Sequence, residues 1–410
     1  MNELVLGIDT GGTYTDGVLL DYKTRQITAT TKTLTTRHNL AECILTALDN
    51  LIADMHSMPT GLNQIRLVSI STTLATNAIA EGKSRPVALF LLGYDSDLVE
   101  QFNLNGNFAT SSYHYFEGGH NLYGEEQTPL DVDSITERAI TLQDKVAAFA
   151  VSGYFSPFNA AHEERAFEAI TKATNRPVVI GHQLSNKLNS IQRATTATLN
   201  ASLLSILQEF ILAMRKSLDE RNITAPLMVV RGDGALMSAD IASQRPVETV
   251  HSGPAASAIG GRFLSGENQA IVIDIGGTTT DIAIINQGQV TVRAEGTSVG
   301  KYQTAVRAAN IRSIGLGGDS IISFDVENKL SIGPSRVTPI SYLADTYPSV
   351  AQDLKTLQYL GIKKPSSDKI EYWFLQREPQ RNISNERAYQ VIEMLRHRPM
   401  ALPDILKQME

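Results

Sequence analysis

The chain has 410 residues, roughly two to three times an ordinary single domain, so two domains are expected. Hydrophobic residues at 42%, charged residues at 19% and a mean hydropathy of −0.11 exclude a disordered or collagen-like chain. The net charge of −7 excludes the broadly basic surface that a general nucleic-acid or anionic-membrane binder needs, while leaving room for a local anion site. A single cysteine, Cys43, excludes an internal disulfide framework and a cysteine-cage zinc site. It fits a reducing compartment, so a cytoplasmic protein is expected. No basic leader precedes an apolar run, and no uninterrupted apolar run approaches about 18 residues, so neither export nor a membrane span is expected.

An internal repeat organises the chain. Asp9-Thr-Gly-Gly-Thr-Tyr-Thr-Asp16 recurs 265 residues later as Asp274-Ile-Gly-Gly-Thr-Thr-Thr-Asp281, identical at six of eight positions. Each copy lies between short apolar runs (Leu4 to Ile8 and Gly17 to Leu20; Ile271 to Ile273 and Ile282 to Ile285), which reads as strand, Gly-Gly turn, strand. Paired glycines let backbone N–H groups approach an anion. Thr10, Thr13, Thr15, Thr278, Thr279 and Thr280 add hydroxyl donors, and an aspartate at the head of each turn suits magnesium, which takes one or two carboxylates plus phosphate oxygens. Two such loops facing each other would grip a triphosphate from both sides.

Between the copies, strands and helices alternate. A third strand is predicted over Arg25 to Lys32, then a helix carrying Leu40, Cys43, Ile44, Ala47, Leu48, Leu51 and Ile52 with Asn39 as its N-cap and Cys43 in the core. Strands follow at Leu67 to Ser71, Pro86 to Leu92, Val146 to Val151 and Pro177 to Ile180, with a helix from Ala160 to Ala173. This is the pattern of an α/β lobe. The stretch Asn103 to Pro129, rich in Asn, Gly, Ser and Tyr, reads as an insertion or long loop. A helix from Ser190 to about Asp219 is expected to open a second lobe. Next come a strand over Pro226 to Val230, a strand-to-helix turn over Arg231 to Ser238 and a helix over Pro254 to Leu264. Beyond the second hairpin lie a third strand, Gln289 to Ala294, and a glycine turn, Gly315-Leu-Gly-Gly-Asp-Ser320. The last stretch reads as a linker at Pro365-Ser-Ser-Asp368, helices over Glu386 to Arg396 (N-cap Ser384 or Asn385) and Pro403 to Gln408, and Trp373 as a tail anchor. The domains expected are therefore 1–189, 190–340 and a helical tail, 341–410. Gly82-Lys-Ser84 lacks the leading glycine and the context of a Walker loop, and the histidines show no zinc-like spacing.

With these motifs placed, the chain resembles the actin-like ATPase superfamily. Within it, Gly7 to Asp16, Ser71-Thr-Thr-Leu-Ala-Thr-Asn77, Asp233 to Ser238, Ser252-Gly-Pro-Ala-Ala256, Asp274 to Asp281 and Ile314 to Ser320 resemble the hydantoinase A and 5-oxoprolinase family, over roughly residues 4 to 335. The resemblance implies a two-lobed α/β fold of ribonuclease H-like type, with duplicated lobes clasping ATP and Mg²⁺. Asp9, Gly11, Gly12 and Thr13 would form the first phosphate loop, Asp274, Gly276, Gly277 and Thr278 the second, and Gly315, Gly317 and Gly318 the adenosine turn. Asp9 or Asp274 would organise the metal, and one of the paired aspartates, Asp9, Asp16, Asp274 or Asp281, would position water or act as base; the alternative for Asp16 and Asp281 is a carboxylate that stabilises the turn. Ser71 to Asn77 and Ser252 to Ala256 would lie near the substrate. The implied activity is ATP-dependent opening of a cyclic amide such as a hydantoin or 5-oxoproline, through carbonyl phosphorylation and water attack. A small-molecule kinase of the same fold, or an ATP-binding subunit acting with a partner, are the alternatives. After the adenosine turn only Gly333-Pro334 matches the family's Gly-Pro-rich continuation, so the chain looks like a short form. Many relatives work with a hydantoinase B-type subunit, and such a subunit or a second copy of the chain is the expected partner.

Overall fold

The computed structural model describes residues 3–36, 40–56, 62–324, 327, 329–359, 369–376, 378–379, 383 and 385–409. The N-cap candidates Asn39 and Ser384 and the linker Pro365 to Asp368 lie outside these residues. The chain divides into two compact units, residues 1–276 with 280–314, and residues 277–279 with 315–410.

In the first unit, β1 (Leu4–Thr10), β2 (Tyr14–Asp21) and β3 (Gln26–Leu34) form an antiparallel meander, and α1 (Leu40–His56) leads to β4 (Ile65–Thr72), which returns parallel to β1. The helical spacing of Cys43, Ile44, Leu48 and Leu51 becomes a buried stripe against Leu4, Leu6, Ile8 and Leu19, so Cys43 is a core residue. After α2 (Leu74–Ala80) the chain builds a second, wholly parallel sheet. Its strands are β5 (Val87–Leu92), β6 (Ser112–Phe116), β7 (Ala148–Gly153) and β8 (Val178–Ile180), in the order β6-β5-β7-β8. Helices α3 (Ser96–Gln101), α4 (Val132–Leu142) and α5 (Ala161–Ala173) connect them. The stretch Asn103 to Pro129 is not loop throughout: Ser112-Tyr-His-Tyr-Phe116, aromatic enough to hold an edge position, supplies β6, and residues 117–129 after it are irregular apart from a bridge between His120 and Glu126.

The long helix α6 (Ser190–Glu220) joins both sheets. Ala194, Ala197 and Ala201 pack under the parallel sheet, and Leu207, Phe210 and Met214 pack under the first. It is long and apolar enough by composition to cross a bilayer, and most of its apolar surface is spent on these two cores. β9 (Leu227–Val230) extends the first sheet beside β4, and β10 (Leu236–Ser238) pairs antiparallel with β9, so the expected strand-to-helix turn is a hairpin before α7 (Ala239–Gln244). Next comes α8 (Ser252–Ser265).

The second hairpin is β11 (Ala270–Ile275) and β12 (Thr280–Asn286). Its third strand differs from the expected Gln289 to Ala294: β13 (Gln289–Val290) pairs with the far end of β12, and β18 (Ile311–Ile314) with the turn end. Between them the chain leaves the sheet to form β14 (Val292–Arg293), β15 (Ser298–Val299), β16 (Tyr302–Gln303) and β17 (Ala308–Ala309), paired as β14-β17 and β15-β16.

The second unit holds the hairpin β19 (Ser320–Phe324) and β20 (Leu330–Arg336), then α9 (Ile340–Thr346), α10 (Pro348–Tyr359), β21 (Tyr372–Trp373), α11 (Glu386–His397), β22 (Met400–Ala401) and α12 (Leu402–Met409). Its tail packs around Leu395, Met400 and Ile405. Trp373 is 44% exposed and bonds Glu371, so it is not the tail's anchor.

Candidate functional site

The repeated aspartates owe their placement to strand register. In the first hairpin Asp9 lies opposite Asp16, and in the second Asp274 lies opposite Asp281. Directly paired residues project from the same face of a sheet, so each hairpin presents two carboxylates side by side beside its Gly-Gly turn. Thr10 and Thr15, paired one step further on, fall on the opposite face and are fully buried. Thr15 bonds Thr35 and Cys43, so its hydroxyl serves the core, and the Thr10 hydroxyl is buried with no partner among the described residues. The Gly11 N–H donates to the Tyr14 carbonyl at 3.0 Å and closes the turn. Among the described residues nothing lies within 4 Å of the place a Gly12 side chain would take.

Each pair is tied to its neighbouring strands differently. Asp9 accepts the hydroxyl of Ser71, which sits opposite it on β4. Asp16 is held by the ammonium of Lys32, opposite it on β3, at 2.8 Å. Asp281 accepts the hydroxyl of Ser313, opposite it on β18. Burial pushes the Asp9 carboxyl above its ordinary range, and the charges of Asp16 and Asp274 push the same way against the Ser71 bond. Burial likewise raises Asp281, helped by Asp274 and opposed by Ser313 and His251. Asp274 thus acts electrostatically on one aspartate of each hairpin, and the structure brings Asp9, Asp16, Asp274 and Asp281 into one acidic group.

The segments flanking Asp9 also converge. Ser252, at the start of α8, donates to the Thr72 carbonyl at 3.0 Å, and Gly253 is placed so that an added Cβ would stand 3.7 Å from the Asp9 carboxylate. Ser71 to Asn77 and Ser252 to Ala256 therefore meet beside Asp9. Lys32, Ser313 and His251 escaped the sequence reading, because only strand register and the α8 start bring them to the aspartates.

The second unit contains the other predicted group. Gly277, Thr278 and Thr279 pack backbone to backbone against the glycine turn of Gly315, Gly317 and Gly318: the Asp319 N–H donates to the Gly277 carbonyl at 2.9 Å, and a Cβ on Gly317 would lie 2.4 Å from that carbonyl oxygen. Only glycine fits at 317. The Gly317 N–H is capped by the Ser320 hydroxyl, and one Asp319 carboxylate oxygen is buried with no partner among the described residues.

A separate polar group occupies the carboxyl ends of the parallel sheet. Glu163, fully buried, accepts from the Gly153 N–H, the His182 N–H and His182 Nδ1 at 2.7, 2.8 and 2.7 Å. Buried Arg193 donates to the carbonyls of Gly153, Tyr154 and Lys187. His162 accepts from the Gly119 N–H through Nδ1 and pairs with Glu126 through Nε2, with the His120 ring tilted against its own at 4.1 Å between centroids.

Comparison with known proteins agrees with the motifs. A model of the hydantoinase/oxoprolinase N-terminal region matches residues 5–174, and a hydantoinase/oxoprolinase model matches residues 193–345. Caprolactamase subunit alpha of Pseudomonas jessenii is 27% identical over 356 residues, covering 80% of this chain and 50% of that protein. The acetophenone carboxylase gamma subunit of Aromatoleum aromaticum is 26% identical over 404 residues, covering 87% and 53%. The crystal structure of the ATP-dependent caprolactamase from Pseudomonas jessenii superposes with a TM-score of 0.67 at 24% identity, over 82% of this chain and 51% of that one. The chain spans about half the length of these relatives, and its mixed α/β architecture is of the actin-like ATPase type. Together the paired motifs, the fold and the two adjoining family matches establish that the chain belongs to the hydantoinase/oxoprolinase family.

Proposed function

We propose that this chain binds Mg-ATP and directs its γ-phosphoryl group to the carbonyl oxygen of a small cyclic amide, which water then opens. The observation that carries this reading is the acidic group of Asp9, Asp274 and Asp281, two of whose members are disfavoured as anions by burial and like charge. A cation beside it removes that penalty. Among the described residues no set of three or more His, Cys, Asp or Glu side chains could hold a metal unaided. That donor set fits magnesium, which takes one or two carboxylates and completes its shell with water and phosphate oxygens. Asp9 and Asp274 would hold it, and the ion would supply charge neutralisation at the phosphates. Caprolactamase, by its name, acts on a cyclic amide, and acetophenone carboxylase on a ketone; both substrates offer a carbonyl oxygen as phosphoryl acceptor.

In the proposed reaction the amide oxygen attacks the γ-phosphorus and ADP departs. Water adds to the activated carbon, the ring C–N bond breaks, and inorganic phosphate leaves. The chain's contribution is alignment and charge placement rather than covalent chemistry. Asp281, held by Ser313 and kept less acidic than an ordinary carboxyl, is suited to take a proton from the attacking water. Phosphate release measured over hydantoins, lactams, 5-oxoproline and simple ketones, with and without magnesium, tests the reading. Cyclic-amide-stimulated release supports it. A stable phosphorylated product selects a kinase instead, and nucleotide binding without turnover selects a subunit that acts only in a complex.

A further inference from the structure

A polar row crosses the first sheet. Ser71 on β4 faces Asp9 on β1, Asp9 faces Asp16 on β2, and Asp16 faces Lys32 on β3, so these side chains project from one face. All of them belong to the first unit. Neighbouring strands lie about 5 Å apart, which puts β3 roughly 10 Å from the strand of Asp9. The Lys32 ammonium leans back along the row to Asp16, at 2.8 Å, and stands 4.8 Å from the centre of the Tyr14 ring. Among the described residues Asp16 is its hydrogen-bond partner, and an ammonium has donors to spare after one such bond. The end of β3 is also strapped to the Gly-Gly turn: the Thr35 N–H donates to the Thr13 carbonyl at 2.9 Å, and the Thr35 hydroxyl to the Gly11 carbonyl at 3.0 Å. In the second hairpin Asp274 faces Asp281, and the place opposite Asp281 on the third strand is taken by Ser313. Two opposed carboxylates repel across a sheet, and the first pair carries an ammonium where the second carries a hydroxyl.

We propose that Lys32 binds the γ-phosphoryl group of ATP, so that the first hairpin is the one on which the transferred group rests. The inference rests on the reading of the aspartates as an ATP site and names a cation which that reading lacks. A polyphosphate entering a group that already holds Asp9, Asp16, Asp274 and Asp281 needs more positive charge than one divalent ion supplies. Lys32 offers it in the same row as Asp9, so a phosphoryl group beside Asp9 meets the ammonium directly. Asp16 and Tyr14 act as positioning residues that hold the ammonium over the row. During transfer Lys32 keeps its proton. As the bond from the amide oxygen to phosphorus forms and the bond from phosphorus to the ADP oxygen breaks, the ammonium donates to a non-bridging oxygen and offsets the charge spread over that group. Ser313 holds Asp281 without neutralising it, which leaves the second hairpin for the attacking water. Lys83, which follows Gly82 as a phosphate-loop lysine would, is instead paired with Glu81 at 2.6 Å, beyond the end of α2.

The test uses the full 410-residue chain with magnesium and titration calorimetry, a readout that needs no turnover. The probes are ADP and a non-hydrolysable ATP analogue, which differ in the γ-phosphate. The unaltered chain should prefer the analogue. Lys32→Met, which keeps the length of the side chain and loses its charge, should cut that preference by at least about tenfold with little change in ADP affinity, the size expected for one charge-assisted bond. Lys32→Arg should restore most of the preference, and Lys83→Met should leave it intact. The thermal melt of Lys32→Met should overlay that of the unaltered chain, because the ion pair it removes is between half-exposed side chains. An undiminished preference in Lys32→Met overturns the proposal. Equal weakening of both nucleotides, or an unfolded Lys32→Met, also overturns it, since either would make Lys32 a support of the turn. So does a loss seen with 5-oxoproline as titrant and not with the nucleotides, which would assign the ammonium to a carboxylate on the substrate. If the unaltered chain binds neither nucleotide, the ATP reading fails and this inference falls with it; if the chain prefers the analogue and Lys32→Met does so equally, the inference alone fails.

Discussion

Ser71 and Asp9 face each other across the parallel pairing of β1 and β4, and the serine hydroxyl donates to the carboxylate. A bond to the charged form favours ionisation, so Ser71 offsets part of the burial that pushes Asp9 up. Ser71→Ala should therefore raise the Asp9 pKa further and move the acid limb of the pH profile for phosphate release to higher pH. It should also slow release by about tenfold or more, the usual size for losing a bond to a charged group. Ser71→Thr, which keeps the hydroxyl, should restore both. An unmoved acid limb in Ser71→Ala would show that Asp9 is not the group whose ionisation matters.

Asp9 and Asp281 should trade stability for activity. An unfolded aspartate ionises near 3.8, and burial raises both carboxyls in the fold. Between those two pKa values the folded chain holds a proton that the unfolded chain has lost, so stability falls as pH rises through the window and stays reduced above it. Asp9→Asn and Asp281→Asn should therefore raise the Tm on the order of a few degrees near neutral pH. That gain should vanish below about pH 4, where the unfolded aspartate is protonated too. The same variants should lower magnesium-dependent phosphate release by about 10²-fold or more, the scale of removing an electrostatic group from a reacting centre. Thermal melts across pH, beside the activity assay, check both arms; a lowered Tm would mean that the carboxylates are structural.

The hairpins, the sheet class and the glycine turn were legible in the sequence because each rests on local pattern: alternating apolar residues, Gly-Gly pairs and an eight-residue repeat. The partners of the aspartates were not. Lys32 and Ser313 are ordinary residues made significant by standing opposite Asp16 and Asp281, and Ser71, though inside a recognised segment, takes its particular partner by standing opposite Asp9; register is a property of paired strands. The strand Ser112–Phe116 was hidden for a related reason. Its Asn- and Gly-rich flanks look like loop, and its pairing to Val87–Leu92 is decided by an edge left open in the parallel sheet. The orientation of Thr10 and Thr15 also followed from register, since one step along a strand carries a side chain to the other face.

Gly317 should tolerate no side chain. A Cβ there would stand 2.4 Å from the Gly277 carbonyl oxygen, and that oxygen is fixed by the Asp319 N–H. Gly317→Ala must push the two glycine turns apart at a cost of about 1–3 kcal/mol. ATP binding should weaken by roughly tenfold or more if both turns contact the nucleotide, because each 1.4 kcal/mol is a factor of ten. Gly106→Ala, outside both phosphate loops and the glycine turn, meets nothing within 4 Å among the described residues and should leave the fold and ATP binding unchanged, which makes it the matched control. Titration with a fluorescent ATP analogue reads the difference; equal affinity in Gly317→Ala and the unaltered chain would separate the glycine turn from the nucleotide.

Glu163 should be the chain's most costly single carboxylate to remove. It is fully buried, and its two oxygens accept the Gly153 N–H, the His182 N–H and the His182 ring, tying α5 to the ends of β7 and β8. Glu163→Ala strands those three donors, and the expected loss is about 3–5 kcal/mol, the range for breaking a buried charged pair. The penalty should also depend on pH. The bond to Glu163 raises the His182 pKa above its ordinary 6.5, so the stability it adds is complete below that value and fades as pH rises through the folded pKa. Urea unfolding of Glu163→Ala and the unaltered chain should therefore differ more near pH 6 than near about pH 9. Glu163→Gln, which keeps an acceptor for the backbone but not the charge, should recover part of the loss and most of the difference between the two pH values should disappear. A pH-independent gap in Glu163→Ala would mean that the carboxylate serves the backbone N–H groups alone and that His182 stays neutral beside it.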